Sequence, residues 1–179
     1  MRDIKAIVKR RVKMYKEIDA YEYMNEIMKG LKTGVLLTTQ KDGKVNTMSI
    51  AWGAIGIEWN KLIFTALVRQ SRYTHDMLES GEFTINIPMD KRNKVIAYCG
   101  KKSGRDTDKI ADMKLTTVDG RVVDVPAIKE LPLTLECKVI YKQMQDENAI
   151  PAAILNKMYP ERDMHTMFYG EVVSAYIVE

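Results

Sequence analysis

Arg69, Ser71, Arg72 and Thr74 fall within six positions, directly after the apolar run Leu62-Ile-Phe-Thr-Ala-Leu-Val68. A new helix is predicted to start there, with Ser71 as its N-cap and Glu79 near its end. Guanidinium groups, hydroxyls and the free N–H groups of a helix N-terminus together suit a phosphate. Capping alone does not call for two arginines flanking the cap, so an anion site is the better reading than Ser71 and Thr74 as caps with Arg72 on a surface carboxylate. Earlier in the chain, Asn46-Thr-Met-Ser-Ile-Ala-Trp52 is a half-polar strand with small residues and one Trp. It can offer backbone donors and a flat apolar surface. One pocket with a phosphate end and an aromatic end points to a nucleotide-like cofactor.

The other reactive side chains form no recognisable machinery. His75 opens the second predicted helix and His165 precedes the last strand, and neither context marks a catalytic base. Cys99 and Cys137 make no C-x-x-C, and no Cys/His cluster is present, so a structural metal is not expected. Tyr98 to Lys109 holds two glycines, a serine and several cations, but without Walker-type spacing its composition reads as solvated surface. An enzyme lacking acid–base groups needs a cofactor with its own reactivity, and flavins accept hydride or single electrons at the ring.

The elements that must hold these residues are mostly strands. A helix is predicted from Ala20 to Leu31 behind Asp19 and Glu22, which have the spacing of a capping box, and Gly34 closes it. Val35 to Gln40 and Val45 to Trp52 are strands around Asp42-Gly43, a dipeptide that allows the positive φ of a tight hairpin. After Gly53 and Gly56, a turn at Trp59-Asn-Lys61 leads into Leu62 to Arg69, read as a third consecutive strand, hence a β-meander, with Glu82 to Ile87 as a fourth ended by Pro88. The segment from Asp90 to Met113 is charged and helical. Leu131 to Tyr141 alternates, with Cys137 on the apolar side; a short helix is predicted over Ala152 to Tyr159, and Thr166 to Val178 is a long strand with Gly170 as a bulge.

The 179 residues suit one domain, with residues 1–33 a basic segment plus helix and residues 34–179 a barrel. A net charge of +4 is modest, and the cations crowded into residues 1–17 read as a solvated edge, so nucleic-acid binding is not expected. The chain has no apolar run of signal-peptide or membrane-spanning length and only two cysteines, which points to the cytoplasm and reduced thiols.

Five motifs in order carry a resemblance: Val35-Leu-Leu-Thr-Thr39 with Asp42-Gly43; Asn46 to Gly53; Val68-Arg-Gln-Ser-Arg-Tyr-Thr74; Glu82 to Pro88; and Cys99 to Lys109. Together they resemble the flavin reductase-like family, and within it the flavoredoxin branch. The resemblance implies a mainly β fold with flanking helices, an antiparallel Greek-key split β-barrel, forming a homodimer with FMN near the interface. It places the FMN phosphate near Ser71, Arg72 and Thr74, beside the Arg69 of the anion site read above, with Lys109 reaching in, and so turns residues 99–109 from surface into cofactor loop. It sets the ring against Asn46, Thr47, Met48, Ser49 and Trp52, puts Asn86, Cys99, Ser103 and Arg105 in matching stretches, and makes His165 a candidate catalytic residue. The implied activity takes hydride from NADH or NADPH and passes electrons to a flavin, a redox protein partner or a small acceptor. A flavoredoxin-type electron carrier with little nicotinamide activity is the alternative, and a split-barrel binding module without flavin chemistry is the second. With no G-x-G-x-x-G between a strand and a helix, a nicotinamide would have to stack on the flavin directly.

Overall fold

The computed structural model describes residues 14–89 and 94–179. Most of the basic segment, through Lys13, lies outside the described residues, as does Asp90 at the start of the charged stretch. The described part of the basic segment forms strand β1, Tyr15–Glu17. Asp19 then accepts the Tyr21 N–H at 2.9 Å and starts a 3-10 turn over Ala20–Tyr23, which leads into helix α1, Met24–Thr33. Gly34 ends it at a φ of 111°.

Strands β2, Val35–Lys41, and β3, Lys44–Ile50, form the expected hairpin, with Asp42 and Gly43 both at positive φ (51° and 74°). A second hairpin joins β4, Gly53–Glu58, to β5, Lys61–Arg69. Its turn uses Trp59 and Asn60, both left-handed at φ 51° and 57°. The expected meander is therefore corrected: β3 and β5 are separated in sequence by a strand that the sequence reading missed, and in the sheet β3 forms one end while β5 lies next to β4 at the other. Helix α2, Tyr73–Met77, and a 3-10 turn over Leu78–Ser80 lead to β6, Glu82–Ile87. Helices α3, Lys94–Lys101, and α4, Lys109–Asp112, bracket the glycine-containing loop. After the short strands β7, Thr117–Val118, and β8, Ala127–Ile128, come β9, Leu133–Met144, helix α5, Ala152–Met158, and β10, His165–Val178.

The main sheet is antiparallel and runs β3-β2-β6-β9-β10-β5-β4, with β1 also paired to β10. It curls on itself. Met48 and Ile50 from one end and Phe64, Ala66 and Val68 from near the other share one core with Leu37, Ile85, Leu135, Cys137 and Phe168. This is the split β-barrel that the resemblance implied. The register of β9 and β10 shifts at Tyr169/Gly170, the expected bulge, and again at Val172/Ser174. Gly170 is needed there because a Cβ would stand 2.4 Å from Phe83 Cζ.

Two polar constructions lie inside this apolar frame. Asn86 is fully buried, with Oδ1 3.1 Å from Thr38 Oγ1 and Nδ2 donating to Thr134 Oγ1 at 3.1 Å. It ties β2, β6 and β9 together. Glu136 is also fully buried and accepts the N–H groups of Arg121 (2.6 Å), Val122 (2.7 Å) and Val123 (3.2 Å) together with the Tyr176 O–H (2.8 Å). One carboxylate thereby fixes the loop between β7 and β8. Cys99 and Cys137 are separate, buried free thiols.

Candidate functional site

The loop from Lys102 to Asp108 and the start of α2 face each other across a cavity of about 160 Å³. Asp108 caps α4 by accepting the Ile110 and Ala111 N–H groups at 3.0 and 3.1 Å, which sets Lys109 in the first turn, aimed inward. Lys109 is 4% exposed, and its Nζ donates to the Lys102 carbonyl at 3.3 Å. No carboxylate pairs with it among the described residues. Burial pushes its pKa down and the Arg72 guanidinium adds to this, while the neighbouring Cys99 thiol is itself pushed up by burial. A buried cation with a second cation beside it is a strong call for an anion.

Two hydroxyls complete this wall. Thr74 Oγ1 accepts the Asn46 Nδ2–H at 2.8 Å, and Ser103 Oγ accepts the Arg105 N–H at 3.2 Å. Each therefore keeps its own proton for a ligand in the cavity. Gly104 lets the loop close on this pair, since a Cβ there would stand 2.1 Å from Asn46 Oδ1. Arg72 is exposed at the rim and reaches the Gly100 carbonyl at 3.4 Å.

A second cavity, of about 290 Å³, shares Met48 and Arg72 with the first and extends along Ser49 to Trp52. His165 and Trp52 form its far wall with ring centroids 5.0 Å apart. His165 is 6% exposed, and burial, reinforced by Arg69, lowers its pKa to about 4. The ring is neutral at ordinary pH. Because this basic group has a depressed pKa when folded, the unfolded chain binds the extra proton first. Stability attributable to it is present above pH 6.5 and is lost as pH falls through the window from 6.5 to about 4. The expected loss is about 2 kcal/mol after allowing for solvent in the cavity. Urea titrations at pH 7 and pH 4 of wild type and His165→Gln should show the variant losing less; equal losses would refute the assignment.

The structure does not use every residue of the expected site alike. Asn46, Met48, Ser49, Trp52, Arg72, Thr74, Cys99, Ser103, Lys109 and His165 line or directly support the two cavities. Asn86 does not, being committed to the core ladder. Thr47 turns the other way, with Oγ1 3.0 Å from Thr38 Oγ1, and borders a larger groove of about 570 Å³ behind Asn46. Arg105 braces the corner by donating to the Ser71 carbonyl (2.9 Å) and to Asp76 (2.8 Å). Ser71 is not the N-cap of α2; that position is Arg72, and the Ser71 hydroxyl and N–H both go to Asp163, at 2.6 and 3.2 Å. Arg69 borders the second cavity while donating to the carbonyls of Asp163 (2.8 Å) and Met158 (2.9 Å). Asp163, Tyr159 and Gln145 were missed because they lie in the polar connection between β9 and β10. The one available signal was an aromatic, Tyr159, at the end of a predicted helix.

Among the described residues, no three His, Cys, Asp or Glu side chains group closely enough to hold a metal ion. No helix there is long and apolar enough to cross a membrane.

Residues 28–179 match the flavin reductase like domain. An uncharacterised protein of Archaeoglobus fulgidus is 29% identical over 131 residues, covering 73% of this chain and 64% of that protein, so the match spans less than two thirds of the relative's length. Flavoredoxin of Desulfovibrio vulgaris (Miyazaki F) has a TM-score of 0.64 at 28% identity, covering 82% of this chain and 69% of the other. An FMN-binding domain of a flavin reductases-like enzyme from Shewanella baltica OS155 shares the fold, with a TM-score of 0.67 at 19% identity over 92% of this chain and 77% of that one. Since the family match runs from within α1 to the end of β10, the chain belongs to the flavin reductase-like family.

Proposed function

We propose that this chain is an FMN-binding oxidoreductase that takes electrons from NADH or NADPH and passes them to a flavin, a protein or a small acceptor. The observation that carries the proposal is Lys109, a buried ammonium with Arg72 beside it and no carboxylate partner among the described residues, facing a cavity that shares Met48 and Arg72 with the Trp52 and His165 cavity. The donor chemistry fits FMN. Lys109, Arg72 and the protons kept by Thr74 and Ser103 suit a phosphate dianion, and the strand from Met48 to Trp52 suits a flat heteroaromatic ring. FMN, when bound, supplies hydride and single-electron chemistry at that ring. The protein's own part is to hold the phosphate, keep a neutral imidazole and an indole at the ring end, and leave Trp52, 37% exposed, at an open side where a second ligand can enter.

The flavoredoxin at 28% identity supports a second reading, an electron carrier with little nicotinamide activity. The homodimer that the family resemblance implies and the cytoplasmic location that the sequence suggests belong to the same proposal, the latter supported by two cysteines kept apart as thiols. The test is the visible spectrum of the purified protein with added FMN, followed by NADH or NADPH without oxygen. Prompt bleaching of bound flavin is the expected result. A persistent flavin spectrum, bleached instead by a low-potential protein donor, would select the carrier, and failure to take up FMN would leave a binding module.

A further inference from the structure

The connection between β9 and β10 builds a hydrogen-bond relay that ends on the cavity wall. Tyr159, 3% exposed, has its hydroxyl 2.8 Å from Gln145 Oε1 and 2.8 Å from His165 Nδ1. A phenol has one proton, and an amide oxygen can only accept. With Gln145 presenting Oε1, the phenol proton goes to Gln145 and the second contact is donated by His165 Nδ1–H. The relay is stitched in place from several elements. The Gln145 N–H donates to the His165 carbonyl at 3.0 Å, the Arg69 guanidinium lies 4.9 Å over the Tyr159 ring, and Trp52 packs edge-on against the same ring at 6.3 Å.

We propose that Tyr159 is a positioning residue that holds His165 in the Nδ1–H tautomer, so that Nε2 is an uncharged hydrogen-bond acceptor on the cavity wall, turned toward the carboxamide N–H of the nicotinamide proposed above as electron donor. The charged groups around the imidazole act in the same sense. Arg69 on β5 and Arg72 before α2 disfavour a further positive charge, and Asp163 on the connection opposes them only in part. Among the described residues no donor reaches Nε2. A carboxamide would supply one, whereas a carboxylate would set its lone pairs against that of Nε2. The choice of ligand rests on the flavin oxidoreductase reading; the tautomer does not.

The experiment is long-range ¹H–¹⁵N NMR of the imidazoles in the full chain, which holds only two histidines, so His75→Gln assigns His165 at once. Wild type is expected to show a neutral Nδ1–H ring at pH 7, and Tyr159→Phe a mixture of tautomers. An Nε2–H ring or an imidazolium in wild type, or an unchanged tautomer in Tyr159→Phe, would overturn the positioning role. With FMN present, nicotinamide should move the Nε2 resonance and nicotinate should not; equal shifts, or none from nicotinamide, would overturn the ligand class. In Tyr159→Phe, KM for the reduced nicotinamide is expected to rise about fivefold, the scale of one hydrogen bond, with FMN affinity unchanged. If wild type takes up no FMN, the flavin reading fails while the tautomer result still stands or falls on its own spectrum.

Discussion

Glu136→Leu is expected to lower the unfolding free energy by about 4 kcal/mol. The carboxylate is wholly buried and accepts from three successive backbone N–H groups and from the Tyr176 hydroxyl. Leucine is of similar size, so the loss comes from polar groups left without acceptors rather than from a void. Each buried donor so orphaned costs roughly 1–3 kcal/mol, and loop movement toward water recovers part of the total. The damage should spread along the sequence, because Arg121 also pairs with Glu17 at 3.1 Å and Tyr176 packs edge-on to Tyr15 at 5.0 Å. Those contacts hold β1 to the sheet. Since a domain is stable by only about 5–15 kcal/mol, the urea midpoint should fall by roughly a quarter or more of its value. A loss below about 1 kcal/mol would mean that the loop's N–H groups find water instead, and that the carboxylate is not the anchor.

The parts of this structure that local chemistry dictates were legible in the sequence. Asp42-Gly43 announced the first hairpin, and the alternation around Cys137 announced β9. The turn at Trp59-Asn60 was legible too, although it lacks the glycine usual at left-handed positions, but β4 before it was hidden because Gly53 and Gly56 masked its alternation. The meander failed for a different reason: β5 pairs with β10, so residue 69 meets residue 165, and nothing within β5 encodes that partner. Ser71 shows the same limit on the scale of one side chain. Its position before a helix fits a cap, yet Asp163, far along the chain, takes both its hydroxyl and its N–H. Lys109 was invisible to composition, which treats a run of cations and glycines as surface. Only the order of family motifs marked it, and the reason it matters, its burial, belongs to the folded chain alone.

Lys109→Met is expected to weaken FMN binding by about two to almost four orders of magnitude while leaving the ligand-free protein as stable as before, or more stable. The two effects have opposite signs because the charge is a cost until an anion arrives. In the ligand-free chain the ammonium is 4% exposed, makes one hydrogen bond at 3.3 Å and has a pKa below the ordinary 10.5. The unfolded chain therefore binds more protons than the folded one between that lowered value and 10.5, and stability attributable to Lys109 rises with pH through this window. Methionine fills similar space without the desolvated charge and abolishes that slope. A bound phosphate reverses the balance by pairing with the ammonium in a site largely closed to water, where losing one partner of such a pair costs about 3–5 kcal/mol. Arg72→Ala, at the solvated rim, should cost less, roughly 1.5–3 kcal/mol. Calorimetric titration of FMN into both variants, beside urea unfolding without ligand at pH 7 and pH 10, measures all of these terms. Unchanged FMN affinity in Lys109→Met would remove the phosphate from this cavity, and a large loss of ligand-free stability would make the lysine a structural group whose positive charge the fold requires.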